Sequence, residues 1–467
     1  MRSIFCILIA LLYGQYSVAQ NKQLLYGVES LPQSLLLNPG AATSFDKHIG
    51  VPFFSGFYAS AGSSGVSVDD LFREGSDFNI RIREVISSLS NTDFFTVNQQ
   101  TELVSIGWKS KFKERYYSAG IYQELDFILY FPKDLAVLGL EGNADFIGTA
   151  FDFSDLSTTA ELLSVYHFGI SQKINKKLRL GARGKLYSSI LNANSARNQG
   201  IFITTETPDG PNFLSHDIRS ADVVLNTSGL RSLSDGDASG TGLISRTLFS
   251  GNIGLGFDVG GTYTVNDKVT LTASLLDVGF IFHSTDTRNY QLKGDFSFQG
   301  VNFQFPAILD GESTVDYFQN LQDDFLDQLN YEDDLSESYI TLRPVKINAA
   351  INYGFGFFGN QDCDCFNDET FAKNNIGLQL YTIKRPQGFQ GAVTGYYDLS
   401  LSSFLRTKVS YTVDPFSTSN LGVLLSTRIN KFNFYIAAEN VLDYTNIAKA
   451  RNAAVQFGFQ LLFNENY

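Results

Sequence analysis

The stretch from Val455 to Phe463 reads V-Q-F-G-F-Q-L-L-F. Val455, Phe457, Phe459, Leu461 and Phe463 share one parity, and Gln456, Gly458 and Gln460 share the other. Successive side chains of a strand point to opposite faces, so this strand has one apolar face and one mostly polar face. A soluble sheet would bury the apolar face under a second layer. A membrane barrel turns that face to lipid and keeps the polar face for its lumen. An apolar, alternating strand at the chain end is suited to closing a barrel onto its first strand.

The rest of the chain fits the barrel. Aromatics make up 14% of the 467 residues, with 41 Phe and 23 Tyr against one Trp, and there are 40 Gly. The mean hydropathy of −0.05 is what two opposite faces average to. A net charge of −13 with no basic stripe excludes a nucleic-acid partner. Residues 1–19 read as a cleaved signal peptide: Arg2, an apolar run from Ile4 to Leu12, and small residues at Ser17-Val18-Ala19. That run is too short to span a bilayer about 30 Å thick. Export to the Gram-negative cell outer membrane is the expected localisation. Residues 20–48 read as a periplasmic N-terminal segment able to tuck into the barrel mouth as a plug, and 49–467 as the barrel.

Alternation sets the expected strands. Strand one runs from about Ile49 to Ser60, followed by a loop helix within Val66–Asn91, then strands at Phe95–Lys109 and Arg115–Tyr130. Tyr166, Phe168 and Ile170 alternate with His167, Gly169 and Ser171. After a turn at Asn175-Lys176, Leu178, Leu180, Ala182 and Gly184 alternate with Arg179, Arg183 and Lys185. Asn192–Thr247 reads as loop, with a strand only at Ile218–Leu225. A hairpin around Asn266-Asp267 follows, and its parity slips near Asp277, which predicts a bulge. His283–Leu342 is the longest insertion, with a helix at Val315–Leu329; strands at Arg343–Phe358 and six later positions end the chain. The result is an all-β, transmembrane antiparallel β-barrel of about fourteen strands. Short turns and both termini lie in the periplasm, and long loops carrying short helices lie outside.

Leu37-Asn38-Pro39-Gly40-Ala41, the Ile174–Gly181 hairpin and Ala438-Glu439-Asn440-Val441-Leu442 carry a family likeness. Together they resemble fourteen-stranded barrels of the FadL and PorV kind. They resemble still more an uncharacterised family of outer-membrane proteins from Gram-negative bacteria with type IX secretion and gliding. The FadL-like pattern is Asn-Pro-Ala in an N-terminal plug, where this chain has Gly40 as the third residue. The resemblance implies an outer-membrane barrel and transfers no substrate.

Cations at every second strand position cost about 2–4 kcal/mol each when turned to lipid near the midplane. Lys173, Arg179, Arg183, Lys185, Arg406, Lys408 and Arg428 are therefore expected to face the lumen, with Asp258 and Glu439 and with Glu124, Asp126 and Lys346. Because both signs occur, a paired network is preferred over a selectivity zone for an anionic solute. Cys363 and Cys365 form a candidate disulfide; the spacing is strained for a bridge and no His or further Cys completes a zinc set. Asp235–Gly240 starts like a calcium loop, but Arg246 stands where its bidentate acid would be, and Glu332-Asp333-Asp334 reads as a solvated loop face. His48, His167, His216 and His283 are scattered and no Gly-x-Ser-x-Gly is present, so an enzyme is not expected, nor any cofactor. Three functions remain, the third a plain structural barrel and the first of them preferred. The first is an accessory that binds other outer-membrane or secretion proteins at the cell surface. The second is a FadL-like channel for hydrophobic small molecules, with a plug and a lateral opening near Asp277.

Overall fold

The computed structural model describes residues 22–464, apart from 74, 76, 111–113, 208–212, 236–244, 300–316, 358–371 and 403. Residues 1–19, read above as a signal peptide, Cys363, Cys365 and most of the calcium-like loop lie outside the described residues. Fourteen antiparallel strands form the wall. The first, β1, comes in two pieces, Lys47–Gly50 and Phe57–Ser63. Then follow β2 (Phe94–Lys109), β3 (Arg115–Tyr130), β4 (Ser157–Lys173), β5 (Leu178–Glu206), β6 (Ile253–Asn266) and β7 (Val269–His283). The second half is β8 (Lys346–Phe357), β9 (Ala372–Arg385), β10 (Gly388–Ser400), β11 (Leu405–Val413), β12 (Asn420–Ile429), β13 (Phe432–Glu439) and β14 (Asn452–Phe463). Each strand pairs with the next in sequence.

Closure falls on the predicted stretch. Ile49 pairs with Leu461, and Phe57 with Phe457. Along β14, Ala454, Gln456, Gly458 and Gln460 are buried, while Val455 and Phe459 are exposed at 38% and 44%, so the apolar parity does face outwards. Trp108, Tyr117 and Phe168 stack on adjacent strands near the short-turn end, with centroids 5.7 and 6.1 Å apart. They form part of an aromatic girdle of the kind found where a barrel meets the membrane interface.

Three departures from the expected strands have physical causes. First, β1 is interrupted at residues 51–56, because Pro52 has no N–H to give to a ladder flanked on both sides. Second, Asn192–Thr247 is not loop. The 29-residue β5 runs on beyond the wall and pairs there with Leu214–Ser228, which pairs with Thr287–Phe298. No lipid touches this outer sheet, so its strands need no greasy parity and the alternation fades. Third, Glu332–Leu335, expected as a solvated loop face, is a short edge strand of that sheet, with Glu332 and Asp333 exposed. The expected bulge is present: the β6–β7 register shifts between Leu275 and Val278, and Asp277 has φ 58°. Leu276 and Asp277 are both buried, after which the exposed parity changes to Phe280 and Phe282.

Phe457 packs on Phe57 with ring centroids 5.1 Å apart on the outer face. Phe457→Arg is expected to lose about 2–4 kcal/mol by placing a cation against lipid. The check is the yield of heat-modifiable, folded barrel in the outer-membrane fraction, which should fall sharply.

Candidate functional site

Residues 22–46 lie inside the barrel. Leu24, Leu25, Tyr26, Val28 and Leu31 pack against the inward Leu424, Tyr435 and Ala437 of β12 and β13. Tyr122, Leu163, Val165 and Tyr187 on the opposite wall meet Leu36. The segment's polar groups are tied to the wall as well. Lys408 Nζ donates to the Tyr26 carbonyl at 2.8 Å, Ser274 Oγ to the Leu37 carbonyl at 2.6 Å, and Thr262 Oγ1 to the Gly40 carbonyl at 2.9 Å. Contacts from β3 to β7 and from β11 to β13 thus hold one short stretch.

Asn38-Pro39-Gly40 is seated on glycines. A Cβ at Gly40 would lie 2.5 Å from the Gly260 carbonyl oxygen, and one at Gly181 or Gly260 would strike Pro39 or Asn38. Backbone therefore rests directly on backbone, which only Gly permits. This is why the third residue of the motif cannot be Ala in this chain.

Beside this segment the lumen is bridged by charge. Arg183 Nη1 pairs with Asp258 at 3.0 Å, Lys185 with Asp258 at 2.9 Å and with Asp277 at 2.5 Å. Lys346 continues the chain, at 2.8 Å from Asp277 and 3.2 Å from Glu124. Arg343 joins Glu124 at 3.2 Å and also Glu161. Arg385 holds Asp126 at 2.8 Å. Because β8 and β9 stand far around the ring from β3, these pairs cross the interior. Five cations meet five carboxylates, so the cluster is neutral. Next to it lies a cavity of about 50 Å³, bordered by Lys22, Tyr58, Tyr122 and Asn348, with room for a water or two.

The bulge supplies one link of that chain. Inserting a residue turns Asp277 inwards between Lys185 and Lys346, and its backbone N–H donates to Asp258 Oδ1 at 2.8 Å. Ladder pairs continue on both sides, Leu275 with Val259 and Val278 with Phe257. The expected lateral opening at this bulge is therefore shut in the structure, drawn closed by ion pairs.

The other sequence-derived residues divide by depth. Lys408 and Glu439 are buried, and Arg406 pairs with Asp398 at 2.6 Å. Lys173 lies at the short-turn end with Glu114, 3.9 Å away. Arg428 is at the same end, bonded to the Asn430 carbonyl and Asn464, and Arg179, the ladder partner of Lys173 across the β4–β5 hairpin, is partly exposed near the start of β5. Arg343 and Arg385 were missed because each lies at a strand end, where parity gives no signal. The histidines stay apart: His48 bonds to Tyr116, His283 to Ser228 and Thr341, and His167 lies against Tyr122.

Sequence reading also missed an apolar groove on the outer sheet. Phe202, Ile218, Phe296 and Phe298 line it with Phe325 of a helix, α1 (Tyr317–Gln328), enclosing about 360 Å³. Phe296 and Phe325 meet edge to face at 5.0 Å, and His216 lies between Phe202 and Phe298 at 6.3 and 6.1 Å. His216 Nδ1 is engaged by Asn143 and Thr204, which fixes the ring. The relevant signal was the aromatic run of Thr287–Phe298, hidden within a stretch taken as insertion.

Closed wall, apolar belt, filled lumen and an outer sheet define an outer-membrane β-barrel with an occluded interior. The chain belongs to a family described as "Family of unknown function (DUF5723)", whose pattern matches residues 39–439. No curated protein matches the sequence. Among solved structures it is similar to the toluene transporter TbuX of Ralstonia pickettii, at 10% identity and TM-score 0.41, covering 97% of this chain and 96% of that one. It is similar to a FadL homologue of Pseudomonas aeruginosa at 10% identity and TM-score 0.43, covering 96% and 100%. For the toluene transporter TodX of Pseudomonas putida the values are 8%, 0.37, 96% and 98%. The fold assignment rests on the strand register and not on these likenesses.

Two outcomes test the interior. Gly40→Ala should unseat the N-terminal segment and make its Lys22 end accessible to trypsin in folded barrels, while the wild type stays protected. Asp277→Ala removes one carboxylate from two buried lysines and should cost on the order of 3 kcal/mol, read as a lower denaturant midpoint in detergent micelles.

Proposed function

We propose that the protein is a non-enzymatic outer-membrane channel for small hydrophobic molecules. In this reading, residues 22–41 are its plug and the groove on the outer sheet is its capture site. The observation that carries the proposal is the groove itself. Five apolar side chains converge on a concave site of about 360 Å³, with His216 and Gln322 as the polar members. Such a site fits one small apolar molecule and gives a charged solute nothing to pair with. The neutral, crossed lumen supports the same reading: a conducting pore for ions needs an open, hydrated path, and here the path is filled with paired charge and chain. Passage then requires the N-terminal segment to shift. Its Asn-Pro-Gly seat rests on the backbone of Gly181, Gly260 and Gly261, and leaving it breaks the Thr262 bond to the Gly40 carbonyl and the Asn38 bond to the Gly261 carbonyl.

A second reading keeps the barrel closed. The filled lumen and the broad outer sheet also suit an anchor or accessory that binds other surface or secretion proteins. One preparation separates the two. The full chain is placed in lipid nanodiscs and titrated with the neutral fluorophore N-phenyl-1-naphthylamine against empty nanodiscs. Saturable binding is expected, weakened at least ten-fold by Ile218→Asp or Phe298→Asp. Binding no greater than that of empty discs, together with a stoichiometric protein co-purifying from native membranes, would favour the anchor.

A further inference from the structure

The break in β1 leaves polar backbone where lipid should be. Val51, Pro52, Phe53 and Phe54 form a turn that leaves the wall outwards, with Phe53 and Phe54 exposed at 63% and 54% and Phe53 at φ 65°. The turn closes on itself through Phe54 N–H to the Val51 carbonyl at 2.9 Å. Phe459 gives its N–H to Phe54 and accepts that of Val51, so the ladder to β14 survives. Gln33 and Gln460 both donate to the Ser55 carbonyl from inside. Among the described residues, however, the Phe53 N–H and the Pro52 and Phe53 carbonyls meet no partner. Their depth is set by the register. The turn lies between the rung Ile49–Ile106 and the rung Phe57–Thr101, on the hydrocarbon side of the Trp108–Tyr117 girdle. Irregular backbone at that depth is tolerated only when protein or a water-filled cavity covers it.

The same face carries a matching recess. Val104, Ile106, Ala119, Ile121, Gly184 and Leu186 line an apolar depression of about 570 Å³ on the outer surface of β2 to β5. It follows two adjoining rows of the wall: Ile106 pairs with Ala119, Ala119 with Phe168 and Phe168 with Gly184, while Val104 pairs with Ile121, Ile121 with Tyr166 and Tyr166 with Leu186. The first of these rows continues through Ile106 to Ile49, just before the turn. Projection and recess therefore lie at one depth, on neighbouring strands. Gln99, Thr101 and Gln123 stand close by. They alternate with the inward Gln100, Glu102 and Glu124, so their polar groups point outwards into the apolar belt. Polar side chains on an outer wall are characteristic of contacts between membrane-embedded chains rather than of contacts with lipid tails.

We propose that this face binds a second copy of the chain, the Pro52-Phe53-Phe54 turn of each copy entering the depression of the other. Two copies in one membrane share an orientation, so their two-fold axis runs along the membrane normal. Such an axis brings a feature on one side of the contact line against the feature at the same depth on the other side. A projection beside its own recess meets this requirement twice and closes as a dimer, with no surface left to extend a chain of subunits. Gln99, Thr101 and Gln123 lie near the contact line, where amides of the two copies can bond to each other and to the free groups of the turn.

The test uses the full-length protein in intact outer membranes, with the photoreactive residue p-benzoylphenylalanine at position 53. Illumination is expected to give an adduct of twice the protein's mass, with the cross-linked peptide mapping to β3, β4 or β5 of the other copy. The same probe at Leu378, exposed on β9, should give no such adduct. A Cβ at Gly184 meets nothing within 4 Å, so Gly184→Trp fills the recess without disturbing the wall. Gly184→Trp should keep its heat-modifiable fold and lower the dimer adduct at least ten-fold. Adducts to lipid alone, adducts only to a different protein, or a dimer adduct untouched by Gly184→Trp would each overturn the proposal.

Discussion

In hydrocarbon, a backbone N–H or C=O without a partner has no water to fall back on, and each such group costs several kcal/mol. Every strand of this chain therefore has to be paired on both sides, and the ladder has to return to its start. The pairing of β14 with both pieces of β1 meets that condition, and the cost of the break in β1 shows in what surrounds it. Two glutamine side chains, one from the N-terminal segment and one from β14, reach the same Ser55 carbonyl. The inner half of the gap is thus repaired by side chains. The outer half keeps its turn.

The interior follows a related rule. Charges taken out of water must be paired or they oppose folding. The wall answers with an alternating chain, Arg183–Asp258–Lys185–Asp277–Lys346–Glu124–Arg343–Glu161, in which each inner member serves two neighbours. A single bulge makes this possible. Without the extra residue in β7, the position of Asp277 would carry an outward side chain, and Lys185 and Lys346 would lose their shared anion. The same insertion that could have parted the strands supplies the group that holds them together.

How much of this could be read in advance depended on which solvent each residue faces. Where lipid lies on one side, parity is enforced residue by residue, so β3, β9 and β14 were legible almost to their ends. The slip at Asp277 was visible for the same reason. Beyond the bilayer both faces of a strand meet water or protein, and the upper half of β5 and Leu214–Ser228 lost the signal. The inward charges of β5 and β6 could be named from their alternation, but their partners could not. Pairing across a lumen depends on which strands end up opposite, and Arg343 and Arg385 sit where strands end. The seat of Asn38-Pro39-Gly40 was illegible for a different reason: it is made by glycines of β5 and β6, which are ordinary residues until the backbone above them is known.

The continuity of β5 has one more consequence. Arg183, bonded to the carbonyls of Leu35 and Leu36, and Phe202, in the outer groove, are carried by one unbroken strand. Surface loops usually drift independently of the scaffold that bears them. Here the groove is mounted on an extension of the scaffold itself, like a handle forged in one piece with its blade. A tilt of the outer sheet would travel along this one backbone, past the register shifts at Ser195–Arg197 and Gln199–Ile201, towards the guanidinium that grips the N-terminal segment.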